Sequence, residues 1–145
     1  MSSVEQVQVG AANDADPGRE FREKGYVRLP AMLCPDEVKE VEAQLARYID
    51  EVVPGLPEQD AFYEVKGRPE TLKQMHRMID NDSWFREFLL QDHFLGLAEQ
   101  LLGTPAVYKN LEYFAKPPRI GNPTPAHQDG YYFMIEPNEA LTMWV

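Results

Sequence analysis

Three consecutive residues, His127-Gln128-Asp129, carry the clearest chemical potential in the 145-residue chain. Residues i and i+2 of an extended segment point to the same side, so His127 and Asp129 can present an imidazole and a carboxylate to one ion while Gln128 points away. One histidine and one aspartate are two thirds of a 2-His-1-carboxylate facial triad, the ligand set that leaves one face of an Fe(II) ion open to a cosubstrate and dioxygen. A surface His/Asp pair is the competing reading. The setting favours the metal site: a proline-rich loop precedes the motif, the aromatic run Tyr131-Tyr132-Phe133 follows it, and the apolar segment Ala140 to Val145 comes next. The other two histidines, His76 and His93, lie outside the motif and read as structural or exposed.

The elements that must position this pair begin well upstream. Residues Met1 to Asp16 are polar and aperiodic and are expected to form a disordered tail. Pro17 to Lys24 predicts a short helix stopped by Gly25, followed by a strand over Tyr26 to Leu29 that Pro30 ends. A longer helix is predicted from Pro35 to about Val53, since proline at the first helical position and the early Asp36 and Glu37 suit the positive end of a helix. Its apolar residues Val38, Val41, Leu45, Tyr48, Ile49 and Val52 form one stripe, expected to pack on a sheet. Phe62 to Val65 and Thr71 to Met75 read as strands around the turn 66–69, the second of them equally able to begin a helix. Asn81-Asp82-Ser83 and Asp92 offer N-caps for helices over Trp84 to Leu90 and His93 to Leu102, the latter closed by Gly103. Strand character returns at Val107 to Ala115 and Ala126 to Ile135, on either side of the loop Lys116 to Pro125 with its four prolines.

Composition narrows the function classes. With 43% hydrophobic residues the chain can build one core but not two. A net charge of -10 without a Lys/Arg cluster argues against nucleic acid as a partner. No apolar run approaches the roughly 20 residues of a membrane span, and the single cysteine, Cys34, excludes an internal disulfide. A cytoplasmic protein with no membrane contact is the expectation; the oligomeric state is left open.

Several segments together resemble the phytanoyl-CoA dioxygenase family. They are Lys116-Pro117-Pro118, then Pro125-Ala126-His127-Gln128-Asp129-Gly130-Tyr131-Tyr132, then Glu136-Pro137 and Ala140 to Val145, with the opening Gly25-Tyr26-Val27-Arg28-Leu29-Pro30 and the helix start Cys34-Pro35. The resemblance implies that His127 and Asp129 are metal ligands and catalytic residues holding Fe(II). It further implies that 2-oxoglutarate is the cosubstrate, decarboxylated to succinate while a C–H bond of a small-molecule substrate is hydroxylated with dioxygen. Similar halogenases carry a small residue where Asp129 stands, so the resemblance implies hydroxylation rather than halogenation. Trp144 matches an aromatic beside the cosubstrate, with a core tryptophan as the alternative, and Lys73 matches in location a lysine that approaches it, with a solvated lysine as the alternative. Asn110 and Tyr108, on one face of the strand leading into the loop, are further candidates for the pocket lining.

The expected fold is α+β and mainly β: the N-terminal portion, over 17–145, of a double-stranded β-helix or jelly roll flanked by N-terminal helices. The sequence stops inside the apolar run Leu141 to Val145 with no capping residue, so the domain is expected to continue. The second histidine and the arginine for 2-oxoglutarate are expected further on, which would leave these residues alone inactive. Two rival functions remain: a non-catalytic jelly-roll binding or regulatory protein with a degenerate metal site, and another cupin-type metal enzyme.

Overall fold

The computed structural model describes residues 16–145. The predicted tail therefore lies outside the described residues except for Asp16, whose carboxylate accepts a hydrogen bond from the Gly18 N–H at 3.0 Å and caps the first helix. That helix, α1 (Pro17–Lys24), ends at Gly25 in the left-handed region (φ 77°), where the absence of a Cβ makes the conformation accessible. The segment 26–29 makes no strand ladder.

Helix α2 (Pro35–Arg47) begins with a reciprocal cap. The Glu37 carboxylate accepts from the Cys34 N–H, and the Cys34 sulfur accepts from the Glu37 N–H. The helical path continues as a π turn over Tyr48–Val52 and a 3-10 turn over Val53–Gly55, close to the predicted end. Its apolar stripe is buried unevenly. Val38 is exposed, whereas Leu45, Tyr48, Ile49, Val52 and Val53 enter the core beside Met75, Met78 and Phe85. The Tyr48 and Phe85 rings meet edge to face at 5.4 Å, a favoured aromatic geometry.

The predicted hairpin forms between β1 (Ala61–Tyr63) and β2 (Leu72–Met75), which pair antiparallel with Ala61 opposite Met75. Thr71, fully buried, ties the turn: its hydroxyl accepts from the Val65 N–H and donates to the Arg68 carbonyl. Helices α3 (Met78–Asn81), α4 (Ser83–Leu89) and α5 (Asp92–Leu102) follow. Asp82 caps α4 as predicted, accepting from the Phe85 N–H; Asp92 lies inside α5, whose cap position is Gln91. Strand β3 (Tyr113–Phe114) completes the sheet in the order β1-β2-β3, with Met75 opposite Tyr113.

Helix outweighs strand among the described residues, so the mixed α and β content is as expected while a mainly β composition is not. The reason is local. A strand requires a hydrogen-bonded neighbour along at least one edge of its backbone, and the stretches 107–112 and 126–135 have strand-like side chains without a ladder partner among the described residues. Residues 126–135 instead form irregular chain and one helical turn, α6 (Gly130–Phe133). No helix of the described residues is long and apolar enough to cross a membrane.

Candidate metal centre

The loop after β3 leaves the sheet under control of the hairpin. The Ala115 N–H donates to the Lys73 carbonyl at 2.7 Å, one step past the ladder, and Pro117 is buried. Five residues before His127, Asn122 reaches back 58 positions to Glu64. Its side-chain amide donates to the carboxylate at 2.7 Å and its backbone N–H does so at 3.4 Å. The Asn122 amide is the main cause holding the Glu64 carboxyl below its ordinary pKa, with the Asn122 backbone N–H and Lys73 adding to it.

His127 and Asp129 do not share a strand face, yet they converge. The imidazole Nε2 lies 3.2 Å from the Asp129 Oδ1. On the far side of the ring, Nδ1 sits 2.8 Å from the Pro125 carbonyl oxygen. A carbonyl can only accept, so Nδ1 carries the proton and donates it, which in the neutral ring leaves the lone pair on Nε2. Two lone-pair atoms facing each other at this distance repel unless a cation joins them, either a proton or a metal ion. The spacing suits a metal. Ligands about 2.1 Å from an ion and at right angles stand about 3.0 Å apart, which is the mutual arrangement within a facial triad. Backbone orientation of a ligating histidine through its other nitrogen is the usual support for such a ligand.

The motif's second half is fixed by the turn that follows. Tyr132 and Phe133 donate their N–H groups to the Asp129 carbonyl, so Asp129 opens α6. A Cβ at Gly130 would meet the amide end of the exposed Asn138 side chain, which would have to swing aside. Tyr132 meets the His127 ring edge to face at 6.0 Å. Lys109 donates to the Phe133 carbonyl at 3.0 Å and lies over the Phe133 ring. Both site residues remain accessible: the side chains of His127 and Asp129 are 41% and 54% exposed.

The chain matches the family model described as Phytanoyl-CoA dioxygenase (PhyH) over residues 21–145. It belongs to the phytanoyl-CoA dioxygenase family. No curated protein and no solved structure matches the chain significantly. Members of the phytanoyl-CoA dioxygenase family are in general Fe(II)- and 2-oxoglutarate-dependent oxygenases, which implies the oxygenase class of enzymes for this chain.

The other candidates stand apart from the pair. Lys73, on β2, places its ammonium 3.6 Å from Glu64 and so reaches the motif only through Glu64 and Asn122. Asn110 turns its amide to Glu112 and its oxygen to the Leu111 N–H. Trp144 is 77% exposed and meets Phe114 edge to face at 6.0 Å, outside any core. The Tyr108 hydroxyl has its pKa raised, first by burial and then by the carboxylates of Asp92 and Glu99. His76 leans on the Phe62 ring with Nε2 3.5 Å from Glu112, and His93 lies against Phe94. No group of three metal-ligating side chains occurs among the described residues. Glu64, Lys109 and Asn122, the residues that tie the flanks of the motif to the rest of the protein, carry no local sequence signal: their contacts span 24 and 58 positions.

Proposed function

We propose that this chain supplies two ligands, His127 and Asp129, to the Fe(II) centre of a 2-oxoglutarate-dependent oxygenase that hydroxylates a small molecule. The supporting observation is the 3.2 Å approach of Nε2 to Oδ1, with Nδ1 committed to the Pro125 carbonyl. Bound iron would supply the oxidising chemistry; the chain's part is to fix two adjacent coordination positions and leave the rest to further ligands, cosubstrate and dioxygen. The carboxylate of Asp129 occupies a position that halide would need, which supports hydroxylation over halogenation. Lys73, Asn110 and Trp144 are proposed to serve the cosubstrate. For Lys73 this requires exchanging Glu64 for an incoming carboxylate, a substitution of one anion for another that leaves the ammonium paired. We also propose that the three-stranded sheet and its flanking helices open a double-stranded β-helix.

Anaerobic addition of Fe(II) and 2-oxoglutarate should give the weak visible charge-transfer band of the chelate in a parent protein that carries this segment together with its remaining ligands, and in neither His127→Ala nor Asp129→Ala. A folded parent without the band would sink the oxygenase assignment and favour a non-catalytic binding protein.

A further inference from the structure

An accessible two-ligand segment with no strand partner needs something other than burial to hold its geometry. Hydrogen bonds within 128–133 fix the turn to itself, not to the rest of the protein. Two charged side chains make that connection. Upstream, Glu64 extends from the hairpin end of β1, its side chain only 9% exposed, and takes both N–H donors of Asn122. Downstream, Lys109 donates to the Phe133 carbonyl, the last residue of α6, and covers its ring. The first clamp closes five residues before His127 and the second four residues after Asp129.

We propose that Glu64 and Lys109 are positioning residues, a clamp on each side of the motif that keeps His127 and Asp129 converged before any metal arrives. The inference rests on the metal-site reading for its functional meaning, but the clamp itself is a property of the polypeptide. Preorganisation is the physical benefit: ligands already at coordination spacing spare the ion the entropy of ordering an exposed loop. The two clamps also differ in kind. Glu64 makes charge-assisted hydrogen bonds to a specific amide partner, which can be reversed in polarity; Lys109 satisfies a helix-terminal carbonyl that many cationic donors could serve.

That difference supplies the test. Co(II) alone is titrated into the purified protein as a probe of the two-ligand site, and hydrogen exchange is followed for peptides covering 121–133. Glu64→Ala and Asn122→Asp are each expected to weaken Co(II) binding about ten-fold, as loss of outer support does at metal sites, and to speed exchange in that segment. In Glu64→Gln/Asn122→Asp the amide and carboxylate trade places, and both readouts should return towards the parent. Lys109→Met should speed exchange across 130–133, with Lys109→Arg restoring it. Unchanged exchange in the single variants, or a swap that rescues neither readout, would overturn the clamp. A parent that fails to bind Co(II) while exchange follows the swap would instead remove the metal reading and leave the clamp standing. A loss that appears only in melting temperature, with Co(II) affinity intact, marks Glu64 as merely structural and also overturns the proposal.

Discussion

Up to Ala115, order comes from exclusion of water: Tyr48, Met75 and Thr71 are fully buried, and Met78 and Phe85 nearly so. From Lys116 onward Pro117 alone is buried, and large apolar side chains such as Tyr131, Tyr132, Met134 and Trp144 are two thirds exposed or more. The first region is held by packing, the second by a few directed polar contacts. Packing is insensitive to which of many neighbours moves but costly to excavate, whereas a directed contact fails outright when one partner is lost.

Substitutions can break this contrast in order of size. Met75→Ala, at the junction of β2 with the core, is expected to cost about 2–5 kcal/mol through the cavity it leaves. Met134→Ala, 88% exposed, should stay within about 0.5 kcal/mol; paired urea titrations compare the two, and equal losses would erase the distinction between the regions. His127→Ala or Asp129→Ala reverses the ranking: stability should hold while metal affinity falls by about 100-fold or more, read by Co(II) titration. Gly130→Ala sits between them. Its Cβ must displace only the exposed end of the Asn138 side chain, so metal affinity should drop by less than roughly ten-fold with a small change in melting temperature.

The smallest effect belongs to the helix cap. The Cys34 backbone N–H, donating to Glu37, lowers that carboxyl from its ordinary 4.5. A depressed folded pKa means the stabilisation is fully present above pH 4.5 and is lost as pH falls through the lower folded value. Because Glu37 is exposed, solvent screening leaves only about a few tenths of a kcal/mol, and Glu37→Gln should flatten the acid limb of a pH–stability curve by that amount.

The boundaries of α1, α2, α4 and α5 were largely legible because caps and stops are written within three or four residues: Cys34-Pro35, Asp82, Gly25 and Gly103; the Asp16 cap of α1 falls within the expected tail. The β1–β2 hairpin was legible for a similar reason, its turn residues lying between two short β-prone runs. Strand assignments at 26–29, 107–112 and 126–135 failed for the opposite reason. Strand propensity describes a side chain suited to a sheet, and a ladder exists only where a second strand is placed alongside.

The candidate site divides in the same way. The sequence by itself determined the donor types, a histidine and an aspartate two positions apart after a proline-rich loop, because ligand chemistry is a property of single side chains. Only the tertiary structure decided that Nε2 meets Oδ1 in the loop entering a helical turn rather than on a strand, and that Glu64 and Lys109 tie the flanks of the segment to the rest of the protein. Their partners lie 24 and 58 residues away, and no local pattern encodes a hydrogen bond whose two ends meet only after the chain has folded.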